Sequence, residues 1–227
     1  MQRRGDAVSA QQRYPINEMF VTIQGEAMWA GHPSVFVRLQ GCDVGCGWCD
    51  TKHTWSLDGA NWVLSLNETV DAVRAMSNHN KPGDVGKPFH VVITGGEPLM
   101  HDLRPLVEVL IGLNYRVQIE TSGTYDGVRE LAAMGAWVTV SPKFNMPGRR
   151  VVCADALEHA SEIKMPIGKA ADIQQIADAL LMVEKHTPLV WLQPLSQSRK
   201  ATQLCVDACL NHGFMLSLQL HKFAEIP

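Results

Sequence analysis

The chain has 227 residues, of which 46% are hydrophobic, so it can bury the core of one large domain. Its formal net charge of -3 offers no basic surface, which argues against nucleic acids and anionic membranes as partners. No apolar run approaches the roughly 20 residues of a membrane-spanning helix, and we expect a cytoplasmic protein.

The first part of the chain, residues 1–13, is polar and lacks periodicity, which predicts a disordered extension before a single domain at 14–227. The run at 34–39 is rich in β-branched and aromatic residues and is predicted as the first core strand. Residues 67–76 have the signature of a helix, and residues 78–88 that of a surface loop.

From residue 90 onward, apolar runs alternate with amphipathic stretches. The apolar runs predict further strands at 90–93, 116–119, 137–140, 162–165, 189–192 and 214–218. The amphipathic stretches predict helices at 103–113, 127–134, 155–160, 172–183 and 202–211. This alternation predicts an α/β fold with a parallel sheet covered by helices. About seven strands fit a partial, open TIM-like barrel better than a closed one, which takes roughly 250 residues.

Small or polar residues follow most of the predicted strands. They lie at 94–98, 120–123, 141–143 and 193–194, with Gln219 and His221 near the end. In a parallel sheet or barrel these positions share the carboxyl edge, where ligands bind. The sequence therefore predicts that one rim collects the candidate chemistry.

Three cysteines, Cys42, Cys46 and Cys49, lie within eight residues in a C-x3-C-x2-C spacing. In a reducing compartment, such crowding is typical of a metal site rather than of a disulfide framework. A Cys3His zinc site that uses His53 is one alternative, although its ligands would be unusually close in sequence. The other is a [4Fe–4S] cluster held by three thiolates, which leaves one iron free to bind a substrate or cofactor.

The cysteine spacing, with Trp48 before the last cysteine, resembles the signature of the radical S-adenosylmethionine (SAM) superfamily. The turn Gly95-Gly96-Glu97-Pro98 after a strand resembles its second motif. Further segments resemble the 7-carboxy-7-deazaguanine synthase family, namely 15–20, 24–26, 38–42, 49–55, 91–98, 119–124, 140–143 and 219–222. The resemblance implies the open barrel of radical SAM enzymes. It also implies conversion of 6-carboxy-5,6,7,8-tetrahydropterin to 7-carboxy-7-deazaguanine, with loss of ammonia, in the pathway to queuosine.

The resemblance also implies a role for each matching position. Cys42, Cys46 and Cys49 would hold a [4Fe–4S] cluster, and Thr51 resembles the magnesium ligand. The positions implied for SAM are Gly47, Trp48, Cys49, Gly96, Ser141, Pro142, Lys143 and Gln193. Those implied for the substrate are Ile23, Gln24, Gly25, Arg38, Thr94, His221 and Pro227, the last through a terminal carboxylate. Glu120 is the candidate catalytic base or hydrogen-bond acceptor, unless it is only a solvated strand end.

Arg38 is the best candidate for the substrate carboxylate, because a guanidinium on a buried strand is costly unless it pairs with an anion. An internal salt bridge to Glu18 or Glu26 is the alternative. One departure from the family is Ala27, which follows Gln24-Gly25-Glu26 where a glycine is expected.

The expected partners are a small-molecule pterin, an external electron donor such as flavodoxin, and a second copy of the chain in a homodimer. A glycyl-radical-activating enzyme would share the cysteine loop, but the continuation 49–55 and the ending 219–222 argue against it. A non-catalytic iron–sulfur or zinc interaction protein would leave Gly95-Gly96-Glu97-Pro98 and the polar rim unexplained.

Overall fold

The computed structural model describes residues 12–77, 89–184 and 188–227. Nine strands in these ranges form one sheet: β1 (Arg13–Ile23), β2 (Pro33–Leu39), β3 (Trp62–Ser65), β4 (His90–Gly95), β5 (Arg116–Thr121), β6 (Trp137–Val140), β7 (Glu162–Ile167), β8 (Leu189–Pro194) and β9 (Met215–Leu216). The α-helices are α1 (Leu66–Ser77), α2 (Arg104–Gly112), α3 (Val128–Ala133), α4 (Ala154–His159), α5 (Ala170–Leu180), α6 (Arg199–His212) and α7 (Leu220–Ala224).

Seven strands of the sheet run parallel, in the order β2-β4-β5-β6-β7-β8-β9. They coincide with the seven predicted strands, and α1 to α6 coincide with the six predicted helices. β1 adds to the β2 edge in antiparallel orientation, and β3 pairs with β1. Within the described residues, β3 and β9 do not pair with each other. The prediction of an open βα barrel is therefore confirmed.

Successive side chains of a strand point to opposite faces of the sheet, so one set packs in the core under the helices and the other faces the barrel interior. On β2, Val35 and Val37 are fully buried against the helices, whereas Phe36 and Arg38 line a cavity inside the barrel. The helices complete the core with apolar faces, as Leu106 of α2 shows by its complete burial. None of the helices in the described ranges has the length and apolar content that a membrane span needs.

Two boundaries differ from the prediction because long-range pairing sets them. Arg13 pairs with Ser65 of β3, and the Gln12 carbonyl oxygen accepts a hydrogen bond from Leu66, so both residues belong to the domain and not to the extension. The strand predicted at 214–218 is only two residues long, because only Met215 and Leu216 pair with β8. Helix α7 was not predicted. Residues 1–11 of the predicted extension and the loop predicted at 78–88 lie outside the described residues.

Candidate active site

A cavity of about 360 Å³ opens at the carboxyl edge of the parallel strands. It collects most of the predicted site residues: Ile23, Gln24, Gly25, Arg38, Cys42, Cys46, Trp48, Cys49, Thr51, Thr94, Gly96, Glu120, Ser141, Lys143, Gln193, His221 and Pro227. Two predicted SAM contacts are not part of its lining. Gly47 is exposed on the cysteine loop, and Pro142 is buried beside the cavity.

Gln40, which is fully buried, holds the cysteine loop in place. Its amide nitrogen donates hydrogen bonds to the carbonyl oxygens of His53 (3.0 Å) and Ser56 (2.6 Å). The backbone N–H of Gly41 donates to the carbonyl oxygen of Thr54 at 2.7 Å. The segment after the last cysteine therefore turns back and supports the start of the loop.

The three thiols are free and lie close together on one side of the cavity. Burial raises the pKa of Cys46, Lys143 opposes this shift, and the neighbouring Cys49 and Cys42 raise the pKa further. In the described ranges, no three His, Cys, Asp or Glu side chains are gathered closely enough to hold a single metal ion. His53 is exposed and is not among the cavity-lining residues. A cluster in which each thiolate binds a different iron fits this arrangement better than one zinc ion.

The glycine-rich turn after β4 packs directly against the cysteine loop. A Cβ atom on Gly96 would lie 2.3 Å from the carbonyl oxygen of Gly41 and 2.7 Å from the Cβ of Cys42. The close approach leaves room only for glycine, so the second glycine of the motif has a packing role besides any contact with SAM.

Glu97, in the same turn, has a structural role in the site that was not predicted from the sequence. Its carboxylate is almost completely buried and accepts hydrogen bonds from the Leu99 N–H (3.0 Å), the Thr121 hydroxyl (2.6 Å), and both the N–H (2.7 Å) and the hydroxyl of Ser122. It therefore joins the ends of β4 and β5. The only signal in the sequence was its place in the motif.

Lys143 lies between the rim and the cysteine loop. Its ammonium group donates to the carbonyl oxygen (2.7 Å) and hydroxyl (2.5 Å) of Ser141 and lies 5.3 Å from the ring centroid of Trp48. Burial lowers the pKa of Lys143, while Cys46 opposes that shift. This arrangement brings three of the predicted SAM positions into contact.

Arg38 forms an ion pair with Glu18, with 2.6 Å between Arg38 Nε and Glu18 Oε1. This contact is the internal salt bridge considered as the alternative from the sequence. It uses only Nε, and the two terminal nitrogens make no hydrogen bond within the described part of the chain. Arg38 also lines the cavity, so these nitrogens remain available to an anion.

The floor of the cavity is a row of three charges that sequence analysis did not connect. Lys164 of β7 forms ion pairs with Glu26 and with Glu120, the latter at 3.3 Å. Burial alone would raise the pKa of Glu26, but Lys164 and a hydrogen bond from Gln219 lower it to about 2. Gln24 donates to Glu120 Oε1 at 3.1 Å. We refer to Glu26, Lys164 and Glu120 as the charged row.

A fully buried polar chain lies beneath the charged row. His90 contacts Gln118 at 2.8 Å, Gln118 donates to Thr139 at 2.9 Å, and Thr139 donates to Glu162 at 2.7 Å. Gln24 joins the two layers, because its amide nitrogen also donates to Gln118 at 2.9 Å. The Gln24 side chain is thus engaged by the protein itself, although it lines the cavity.

The end of the described chain closes one side of the cavity. The backbone N–H of Leu220 donates to the carbonyl oxygen of Gly25 at 2.9 Å, and a Cβ atom on Gly25 would lie 2.3 Å from His221 Nδ1. The hydroxyl of Thr22 donates to the Pro227 carbonyl oxygen at 2.9 Å. Contacts with Thr22 of β1 and with Gly25 just after it therefore bring His221 and Pro227 to the cavity.

Comparisons with known proteins agree with this geometry. Residues 36–190 match the model of the radical SAM superfamily. The 7-carboxy-7-deazaguanine synthase of Escherichia coli (strain K12) is 45% identical to this chain, over 94% of this chain and 99% of that protein. The synthase of Pyrobaculum aerophilum is 32% identical, with 96% and 97% covered. The crystal structure of QueE from Escherichia coli superposes with a TM-score of 0.82 at 38% identity, covering 96% of this chain and all of that one. The chain therefore belongs to the radical SAM superfamily and, within it, to the 7-carboxy-7-deazaguanine synthase family.

Proposed function

We propose that the protein is a carbon–nitrogen lyase that converts 6-carboxy-5,6,7,8-tetrahydropterin to 7-carboxy-7-deazaguanine, with loss of ammonia and contraction of the pterin ring. The observation that carries this proposal is one cavity lined by the three thiols, the glycine-rich turn and the charged row. The chain is also 45% identical to the 7-carboxy-7-deazaguanine synthase of Escherichia coli. The product would feed the biosynthesis of queuosine.

Membership of the radical SAM superfamily implies a [4Fe–4S] cluster, SAM and a source of electrons. Cys42, Cys46 and Cys49 would hold the cluster. When bound and reduced, the cluster would supply the electron for radical cleavage of SAM. The residues of the cavity would hold SAM and the substrate beside each other and orient the reacting C–H bond.

The residues around the thiols suit SAM. The carboxylate of SAM would meet the Lys143 ammonium group, and Trp48 offers an aromatic face to the adenine. Gly96 presents backbone without a side chain to the methionyl amino group. Gln193 donates to Glu26 at 3.1 Å, which connects the SAM side of the cavity to the charged row.

The opposite side of the cavity suits the substrate. The free terminal nitrogens of Arg38 would bind its carboxylate, since a guanidinium forms strong paired contacts with carboxylates. Thr94 lies beside Arg38 in the β2–β4 register and presents a hydroxyl to the same region. Glu120 would accept hydrogen bonds from the pyrimidine edge or act as the base, and His221 would close over the bound ring.

We also propose Mg²⁺ as a cofactor at Thr51. The Thr51 hydroxyl lies in the cavity lining, 3.5 Å from the Cys49 sulfur. Mg²⁺ commonly takes one or two protein ligands and completes its shell with water and substrate oxygens. Chelation followed by Mg²⁺ addition should abolish and then restore turnover.

We make three further proposals, on the electron donor, the oligomeric state and the location of the enzyme. The electron donor is a small redox protein such as flavodoxin, and the enzyme is a homodimer. It acts in the cytoplasm, where reducing conditions protect the thiols. We assign residues 14–227, together with Gln12 and Arg13, to a single catalytic domain. Sedimentation of the reconstituted protein tests the dimer, and reduction by purified flavodoxin tests the donor.

Anaerobic turnover of the carboxylated pterin with SAM, Mg²⁺ and a reductant, followed by mass spectrometry, tests the activity. We expect the deazaguanine product from the reconstituted protein and none from the Cys42→Ala, Cys46→Ala or Cys49→Ala variant. Cys209→Ala is the matched control, because this thiol lies on α6 outside the cavity. A reconstituted protein with an intact cluster and no product would contradict the proposed function.

A further inference from the structure

We propose that Lys164 is a positioning residue for Glu120: its ammonium group, held between Glu26 and Glu120, fixes the Glu120 carboxylate for contact with the substrate. The proposal rests on the proposed function, because it concerns how that substrate is bound. The charged row of Glu26, Lys164 and Glu120 is its structural basis.

Lys164 occupies a place where an unpaired charge would be costly. Only 5% of the residue is exposed, and it lies on the largely buried strand β7, two residues after Glu162. A buried ammonium group must be paired with anions, and both carboxylates of the row lie within ion-pair distance of it. With two carboxylates and one ammonium group, the row carries one net negative charge at the cavity floor.

The contacts of the two carboxylates are unequal. Glu26 accepts hydrogen bonds from Gln193 (3.1 Å) and Gln219 (2.9 Å) in addition to Lys164, so several donors orient it. Within the described part of the chain, Glu120 accepts a hydrogen bond from Gln24 and forms an ion pair with Lys164, and both contacts are made by Oε1. Its second oxygen, Oε2, makes no hydrogen bond with the described residues, and Glu120 lines the cavity. Lys164 thus leaves one oxygen free for an N–H group of the substrate.

The charges around the row favour positioning over proton transfer by Lys164. Burial alone would lower the pKa of Lys164, but Glu120, Glu26 and the more distant Glu162 raise it well above the ordinary lysine value. An ammonium group that stays protonated is a poor proton donor. The other charged groups facing the row are Lys143 and His221, and both act on Glu26 or Lys164. Within the described residues, Lys164 is the one cation at ion-pair distance from Glu120.

The Lys164→Met variant tests the proposal, with Lys200→Met, at an exposed position on α6, as the matched control. We expect the KM for the pterin to rise at least about tenfold. Because Lys164 holds the Glu120 carboxylate in place for binding, kcat should fall less than the KM rises. SAM affinity and iron content, measured without turnover, should stay unchanged.

The double variant Glu26→Gln/Lys164→Met separates positioning from folding, because it removes both partners of the ion pair between Lys164 and Glu26. We expect it to regain the thermal stability that Lys164→Met loses, while the KM for the pterin stays raised. A double variant with a wild-type KM would overturn the proposal, as would an active Lys164→Met enzyme with an unchanged KM for the pterin. If the wild-type protein forms no product, the proposed function fails instead.

Discussion

The backbone N–H of Glu97 donates a hydrogen bond to the carbonyl oxygen of Gly41 at 2.8 Å. This bond joins the turn after β4 to the residue that precedes the first cysteine. The two sequence motifs of the superfamily are therefore parts of one rigid unit, because the same turn also packs against Cys42 through Gly96. A change in the turn should disturb the thiols before it disturbs the rest of the barrel.

Gly96→Ala should impair the cysteine loop. Its Cβ would lie 2.3 Å from the Gly41 carbonyl oxygen, a backbone atom that can move only if the loop moves. We expect roughly tenfold less turnover and a clear loss of iron per chain after reconstitution. Gly112→Ala is the control, since a Cβ there meets nothing within 4 Å at the end of α2. Equal iron content in the two variants would contradict this prediction.

Glu97→Gln should destabilise the domain. The carboxylate accepts four hydrogen bonds from Leu99, Thr121 and Ser122, and an amide would place a donor against some of those donors. We expect a loss of about 2–4 kcal/mol in the free energy of unfolding, measured by urea denaturation. Glu130→Gln, at an exposed position on α3, should change stability by less than about 0.5 kcal/mol. A stability of Glu97→Gln equal to that of this control would rule out the structural role.

The parts of the fold that the sequence predicted are those with a local signal. The seven parallel strands are rich in apolar residues, because helices cover one of their faces. β1 was missed as a strand because Pro15, Asn17 and Glu18 interrupt its apolar pattern, and its partners β2 and β3 lie later in the chain.

In the site too, features with a local sequence signal could be predicted, and contacts between distant segments could not. The strand ends could be predicted to share one rim, since parallel strands align their carboxyl ends. Lys164 could not be assigned from sequence, because nothing near it in the chain shows which anion it pairs with, and its partner Glu26 is 138 residues away. The pairing of Arg38 with Glu18 required a choice between two anions that composition alone cannot make.

His90 should make the folded protein sensitive to mild acid. Burial lowers its pKa to about 4, against 6.5 for an exposed histidine. The unfolded chain therefore binds the proton more readily between pH 6.5 and pH 4, and stability falls as the pH falls through that window. By pH 5 the loss should be roughly 2 kcal/mol.

Urea denaturation at pH 7.5 and pH 5 measures the effect of His90. The variant His90→Gln keeps a donor for Gln118 and should show a flatter pH dependence, whereas the exposed His212→Gln should behave as the wild type. Glu26 does not interfere, because its pKa of about 2 confines its own effect to pH values below about 4.5. An unchanged pH dependence in His90→Gln would show that another group is responsible.

Arg150 should protect the cysteine loop from outside the cavity. Its Nε donates to Asp43 Oδ2 at 2.7 Å, the Tyr125 hydroxyl donates to the same oxygen at 2.9 Å, and the guanidinium lies 4.5 Å from the Tyr125 ring centroid. Because Asp43 follows Cys42 directly, these contacts restrain the loop between the first two thiols. The ion pair is partly exposed, so its effect should be modest.

We expect Arg150→Met to lose its brown iron–sulfur absorbance in air about twofold faster than the neighbouring Arg149→Met, at an unchanged KM for the pterin. Equal rates of cluster loss in the two variants would show that Asp43 does not need Arg150 to hold the loop.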